Sequence, residues 1–247
     1  MFARYLNVCE QFCVTPRYPK NENRQSKPMT PSYNQISIDK YRARAQGYDA
    51  SAQLTMPLRR RTIDLLRLQA GDVVLDVGAG TGLSYPLLLD AVGPTGRVLA
   101  FEQSPHMFAQ AQARCAGQLD EQRRKQVWHQ CVAAESVVLP QAADAVLFNY
   151  VHDVLRTPAA VANIMRQMKP GARVAVAGMK FFPWWTGPLN LLAWAKNRPY
   201  NARASGLWSP WDIIESYCTP LQRQSTQCGM GYVAYGTARL NIPNLGI

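Results

Sequence analysis

The sequence predicts an α/β fold built on a doubly wound, mostly parallel sheet of seven strands, with an antiparallel hairpin at the C-terminal edge. Short apolar runs alternate with segments of helical periodicity from residue 54 onwards. Strands separated by helices pair in parallel through right-handed crossovers. Only the stretch 217–240 differs, because a short glycine-containing turn at 229–231 joins its two strands.

The first helix is predicted over 54–68, where apolar residues recur at helical spacing, and Arg59, Arg60 and Arg61 are expected on its exposed face. The run 73–77 is almost continuously apolar, as in a strand that is buried on both faces. It is therefore expected to be a central parallel strand.

The later elements follow from turn and capping residues. Ser104 and Pro105 suit the start of a helix and Gly117 suits the position just after its end. Further strands are predicted at 97–101, 126–131, 143–148, 173–178 and twice within 217–240, and further helices at 83–92, 105–116 and 157–169.

Composition bounds the domain organisation. The chain has 247 residues, 47% of them apolar, and a net charge of +11. Residues 1–35 are basic and rich in proline and polar side chains, so a flexible segment is expected there, followed by one domain over 36–247. No apolar run could span a membrane and no secretory signal is recognisable, so a cytoplasmic location is expected.

A glycine-rich turn follows the first strand directly, in the sequence Asp76-Val77-Gly78-Ala79-Gly80-Thr81-Gly82. Such a turn lets the backbone approach a ligand at the start of the next helix. Leu83 stands where a dinucleotide fingerprint requires glycine, and no G-K-S/T of a P-loop is present. Glu102 ends the second strand, where a carboxylate can accept both ribose hydroxyls of a nucleotide.

These residues resemble the class I S-adenosylmethionine-dependent methyltransferases. The segment 76–82 is similar to that family's first motif, Glu102 to its ribose-binding acid, and residues 168–174 to the segment before its fifth strand. The resemblance covers roughly residues 40–240. It implies a Rossmann-like methyltransferase fold and S-adenosyl-L-methionine as the cofactor.

The resemblance also implies roles for single residues. Gly78 and Gly80 would pass beside the methionine part and the ribose, Asp76 would hold the loop and the amino group, and Glu102 would hold the ribose. The family's adenine-binding Asp is missing from the segment after the third strand, so backbone groups near Ala134 and packing from Gln103 and Met107 would hold the adenine. The cofactor residues predicted from the resemblance are Asp76, Gly78, Ala79, Gly80, Gly82, Glu102, Gln103, Met107, Ala134 and Asn149.

The acceptor side is expected after the fourth strand, at the carboxyl edge of the sheet. His152 is the candidate base, since imidazole titrates near neutrality, and Tyr150 is the second candidate catalytic residue. An equally weighted reading of His152 is a hydrogen-bonding residue that shapes the pocket. Residues 179–221 hold five of the six tryptophans and are expected to form an acceptor lid.

Methyl transfer to a small, lipophilic or amine-bearing metabolite is the function expected. Alternatives are C-methylation of a quinone precursor or prenyl diphosphate, O-methylation with His152 as base, and a cofactor-binding regulatory protein without turnover. No metal and no nucleic acid are expected, because neither a carboxylate cluster nor an Asn/Asp-Pro-Pro-Tyr/Phe segment follows the fourth strand. Aromatic and basic residues in the lid favour contact with a membrane surface. The sequence does not indicate an oligomeric state.

Overall fold

The computed structural model describes residues 38, 55–182, 186–188, 190–191 and 207–240. The predicted flexible segment 1–35 lies outside the described residues, as do residues 183–185, 189 and 192–206 of the predicted lid. All described residues belong to one compact unit, Ser32–Ile247. The two domain boundaries stay predictions.

The sheet has seven strands in the order β3-β2-β1-β4-β5-β7-β6, so the predicted fold class is confirmed. Strands β1 to β5 pair in parallel, and β7 is antiparallel to both β5 and β6. The strands are β1 Val73–Val77, β2 Arg97–Glu102, β3 Val127–Cys131, β4 Ala143–Asn149, β5 Met168–Met179, β6 Gln222–Thr226 and β7 Gly231–Thr237.

Helices cover both faces of the sheet. The helices used below are α1 Met56–Leu65, α2 Tyr85–Val92, α3 Pro105–Gln118, α4 Glu121–Gln126, α5 His152–Leu155, α6 Pro158–Met165 and α7 Asp212–Glu215. Successive strand residues point to opposite faces. Val73, Leu75 and Val77 accordingly pack in the cluster that contains α6, whereas Val74 packs with α1, α2 and α3.

Some predicted boundaries were wrong for identifiable reasons. Gly117 lies inside α3, which runs on to Gln118, so it does not end the helix. Strand β5 begins at Met168 and passes through Pro170 and Gly171, which were expected only to stop a helix. Proline removes one hydrogen-bond donor, and a strand end tolerates that loss better than a central position does.

Within the described part of the chain, no helix is long and apolar enough to cross a membrane.

Candidate cofactor and acceptor site

The candidate site lies where the strand order reverses. Strand β1 pairs with β2 on one side and β4 on the other, so the connection after β1 and the connection after β3 cross the sheet in opposite directions. In open α/β sheets, ligands bind in the crevice outside the carboxyl ends of the strands at this switch point. The segments that follow β1, β2 and β4 meet there.

One cleft at this edge collects most of the residues that the sequence analysis selected. It is lined by Gly78, Gly80, Phe101, Glu102, Gln103, Met107, Ala134, Asn149, Tyr150, Val151, His152, Asp153 and Val154. Three predicted cofactor residues, Asp76, Ala79 and Gly82, are not among the lining residues. Asp76 lies in β1, Ala79 and Gly82 lie in the turn, and all three are buried.

The glycine turn follows a path that side chains would obstruct. Gly78, Gly80 and Gly82 have φ angles of +58°, +61° and +76°, in the left-handed region that favours glycine. A Cβ atom on Gly78 would lie 2.7 Å from Cγ1 of Val151. The backbone of the turn is therefore bare where it faces the cleft.

Glu102 is buried at the end of β2 and ties the turn to the next helix. Its Oε2 accepts a hydrogen bond from the N–H of Gly80 at 3.0 Å, and its Oε1 accepts one from the N–H of Ser104 at 2.8 Å. Burial raises the pKa of Glu102, while these backbone N–H groups act in the opposite direction. A carboxylate has about four lone-pair sites, so the side chain keeps capacity for a ligand's hydroxyl groups.

Asp76 is almost fully buried, with 1% of its surface exposed. Burial is the largest influence on its pKa and raises it from 3.8 to about 6, against the lowering effects of Arg59 and a hydrogen bond from Ser84. Arg59 was expected on the exposed face of α1, and that expectation is wrong, because the side chain is 5% exposed. It precedes the buried Ile63 by four residues, a spacing that puts both on one face of a helix.

Asn149 ends β4 and lines the cleft with an amide that is 6% exposed. Neither its Nδ2 nor its Oδ1 has a hydrogen-bond partner among the described residues. A buried amide without partners costs free energy, and most buried polar atoms in folded proteins are paired. The amide of Asn149 is therefore available to both a donor and an acceptor of a ligand.

On the side where the sequence predicts the acceptor, Tyr150 has a φ of +60°, which is rare for a residue other than glycine. Its ring packs near Leu58 and Val233, and its hydroxyl accepts a hydrogen bond from Nε2 of Gln227 at 3.1 Å. Gln227 begins the turn between β6 and β7 and has a φ of +50°. Unusual backbone angles of this kind cluster at functional sites.

His152, the candidate base, begins α5 and lines the same cleft. The other two histidines lie elsewhere. His106 is exposed on α3, and the ring centroid of His129 lies 5.0 Å from that of Phe108, outside the cleft. In the described residues, no three side chains of His, Cys, Asp or Glu are grouped so that they could hold a metal ion.

The predicted adenine residues also reach the cleft. Gln103, Met107 and Ala134 line it, and Met107 is 1% exposed. Asn163 on α6 fixes the loop that carries Ala134, donating from Nδ2 to the carbonyls of Ala134 and Val137 at 2.9 Å each. The apolar side chains and the fixed backbone are compatible with the flat face of a purine.

The residues present fit an adenosyl sulfonium compound. The bare glycine turn leaves room at the backbone, the carboxylate of Glu102 lines the cleft and can accept hydrogen bonds from hydroxyl groups, and the amide of Asn149 has no partner among the described residues. Asp76 and Glu102 add negative charge, which suits a positively charged ligand.

Comparison with known proteins supports this interpretation. Residues 74–171 match the family model described as a methyltransferase domain. Over 116 residues the chain is 32% identical to a protein-L-isoaspartate O-methyltransferase of Aeropyrum pernix, covering 47% of this chain and 42% of the relative. Over 111 residues it is 32% identical to an arsenite methyltransferase of Halobacterium salinarum, covering 43% of this chain and 27% of the relative.

A solved structure has a similar fold. It is the phosphoethanolamine N-methyltransferase 2 of Haemonchus contortus in complex with phosphomonomethylethanolamine and S-adenosylhomocysteine. The TM-score is 0.65 at 12% identity, with 87% of this chain and 62% of that chain covered. The present chain spans less than half the length of these two curated relatives.

The fold and the site define a doubly wound α/β domain with a cleft at its switch point, where domains of this class bind nucleotides. The matched family model and the two relatives narrow this class. Residues 74–171 match a methyltransferase domain, and these findings support a class I S-adenosylmethionine-dependent methyltransferase with S-adenosyl-L-methionine as the cofactor.

Proposed function

We propose that this protein transfers a methyl group from S-adenosyl-L-methionine to a small, lipophilic or amine-bearing metabolite. The observation that carries the proposal is the cleft in which the glycine turn, Glu102 and the unpaired amide of Asn149 converge. Glu102 would hold the ribose, and Asp76 would pair with the amino group from behind the turn. Gln103, Met107 and Ala134 would surround the adenine.

The acceptor would enter on the side formed by Tyr150, Val151 and His152. Bound cofactor supplies a methyl group on a positively charged sulfur, and the chain's residues must align the acceptor with it and exclude water. Val151 and Val154 make this side partly apolar, and Tyr150 and His152 add hydrogen-bonding groups. An amine acceptor is also supported by the similar Haemonchus contortus structure, which contains a methylated ethanolamine phosphate.

O-methylation with His152 as general base is the second candidate. The position of His152 on the cleft favours it, because a base must be within hydrogen-bond reach of the hydroxyl that it deprotonates. If His152→Ala leaves the rate of turnover unchanged across pH 6 to 9, His152 is not a base, and its role is to shape the cleft.

The cofactor assignment is tested by calorimetric titration with S-adenosylmethionine. We expect the wild-type protein to bind it and Glu102→Gln to bind about 10- to 100-fold more weakly, because a hydrogen bond to a charged group contributes about 1.5–3 kcal/mol. The matched control is Glu121→Gln on α4, whose side chain pairs with Lys125 on the surface and should leave the affinity unchanged. Unchanged affinity of the Glu102 variant would remove the ribose assignment.

Turnover requires a separate experiment. The protein is incubated with a metabolite extract and S-adenosylmethionine labelled in the methyl group, and labelled products are separated and identified. A labelled small amine or lipophilic metabolite would support the proposal. Labelled protein or nucleic acid would overturn the acceptor class, and cofactor binding without any labelled product would favour the regulatory alternative.

A further inference from the structure

Three buried polar side chains from three elements form a chain of contacts behind the glycine turn. Arg59 of α1 donates from Nη1 to Oγ of Ser84 at 2.6 Å. The hydroxyl of Ser84 in turn hydrogen-bonds the carboxylate of Asp76 at the end of β1. Exposed fractions of 5%, 0% and 1% leave all three shielded from water.

The direction of these hydrogen bonds is fixed by chemistry. A guanidinium only donates and an ionised carboxylate only accepts, so the Ser84 hydroxyl must accept from Arg59 and give its single proton to Asp76. The Oδ2 atom of Asp76 has no partner among the described residues. One oxygen of this buried carboxylate therefore retains its capacity to accept a hydrogen bond.

We propose that Arg59 and Ser84 are positioning residues for the cofactor: through their contacts they keep Asp76 ionised and present its second oxygen to the ligand's ammonium group. The inference rests on the proposed function, since it assigns the partner of Asp76. The three residues and Glu102 together carry a net charge of −1, which balances the net +1 of S-adenosylmethionine.

The hydrogen-bonded chain of Arg59, Ser84 and Asp76, called the relay below, makes cofactor affinity depend on pH. Burial raises the pKa of Asp76 to about 6, and Arg59 opposes the rise. The other ionisable groups that interact with Asp76 are Tyr85 of α2 and Glu102 of β2. Removing the charge of Arg59 raises the pKa of Asp76 further, so a larger fraction of Asp76 is protonated at neutral pH and cannot pair with an ammonium group.

The test is the dissociation constant for S-adenosylmethionine, measured by calorimetry between pH 5.5 and 8 for wild type, Arg59→Gln, Arg59→Lys and Ser84→Ala. At each pH, the dissociation constant of the variant is divided by that of the wild type. The titration of the cofactor's own ammonium group cancels in this ratio. We expect the ratio for Arg59→Gln to be at least tenfold at pH 6.5 and to fall as the pH rises towards 8. Arg59→Lys should restore part of the affinity.

Arg60→Gln is the matched control, because its side chain is exposed one residue further along α1 and its affinity should equal that of wild type. A ratio for Arg59→Gln that is constant with pH, or equal to one, overturns the inference. If Arg59→Gln does not fold, the same ratio for Ser84→Ala tests the inference. This variant removes the hydrogen bonds to Arg59 and Asp76 but retains the charge of Arg59. Failure of the wild-type protein to bind would instead contradict the proposed function.

Discussion

At the scale of single residues, Asn149 is under conflicting demands. Its amide is buried on the cleft without hydrogen-bond partners among the described residues, which costs stability in the protein without ligand. The same unpaired atoms are available to hold a ligand. Stability and binding therefore favour different side chains at this position.

We predict that Asn149→Leu, which keeps a similar shape, raises the free energy of unfolding by about 1 kcal/mol and weakens binding of S-adenosylmethionine. Urea denaturation and calorimetry measure the two effects. The matched control is Asn163→Leu, which removes two hydrogen bonds of 2.9 Å and should lower the free energy of unfolding by about 1–3 kcal/mol. A loss of stability in the Asn149 variant would contradict the prediction.

The sequence allowed Glu102 and the glycines of the turn to be selected, because their chemistry depends on their place in a motif. Tyr150 and His152 could be selected because they follow a strand end. The relay residues Arg59 and Ser84 were missed. Helical spacing from Ile63 could have placed Arg59 on the buried face of α1, but an arginine followed by two other arginines indicates an exposed surface. The buried partners of Arg59 also come from distant parts of the chain.

At the scale of elements, the amino edge of the sheet is held by side chains of neighbouring strands. Asp144 on β4 accepts from the N–H of Val73 on β1 at 3.0 Å and from Nζ of Lys169 on β5 at 2.8 Å. Burial would raise the pKa of Asp144, but these hydrogen bonds and the nearby positive charges outweigh it, and the pKa is lowered. The carboxylate connects three adjacent strands.

We predict that Asp144→Ala lowers the free energy of unfolding by about 1–2 kcal/mol at pH 7. Because folding lowers the pKa of Asp144, this stabilisation is fully present above the pKa of the unfolded state, about 4. It is lost as the pH falls through the lower pKa of the folded state. Urea denaturation at pH 7 and pH 3 should thus show a difference between variant and wild type that shrinks in acid.

The control for this element is Asp90→Ala. Asp90 forms an ion pair of 2.8 Å with Arg123, but the Asp90 side chain is 60% exposed, so its removal should change stability by less than about 0.5 kcal/mol. A difference for Asp144→Ala that persists unchanged at pH 3 would contradict the role of its charge.

The order of strands and helices could be predicted because apolar runs and turn residues repeat along the chain. The short helix α4 was missed, because Glu121–Gln126 has no buried residue and hence no apolar periodicity. The start of β5 was also missed, because Pro170 and Gly171 indicate a turn in isolation, whereas pairing of Ala143 with Met168 extends the strand through them.

At the scale of the whole molecule, ligand binding and folding are linked. A ligand that binds only the folded state stabilises it by about 2.7 kcal/mol at 100 times its dissociation constant. For a chain of this size we predict that S-adenosylmethionine at that concentration raises the melting temperature by about 5–10 °C. Scanning calorimetry measures the shift, and Glu102→Gln at the same concentration should show a smaller one.

The hydrogen bond between Gln227 and Tyr150 has a consequence for how this molecule can diversify. The half of the cleft proposed for the nucleotide is built mainly from segments that follow β1 and β2, whereas the hairpin of β6 and β7 reaches the opposite half at Tyr150, through the hydrogen bond from Gln227 and packing near Val233. If the proposed division of the cleft is correct, we expect changes in the last two strands to alter which molecule receives the methyl group while the donor half keeps its geometry.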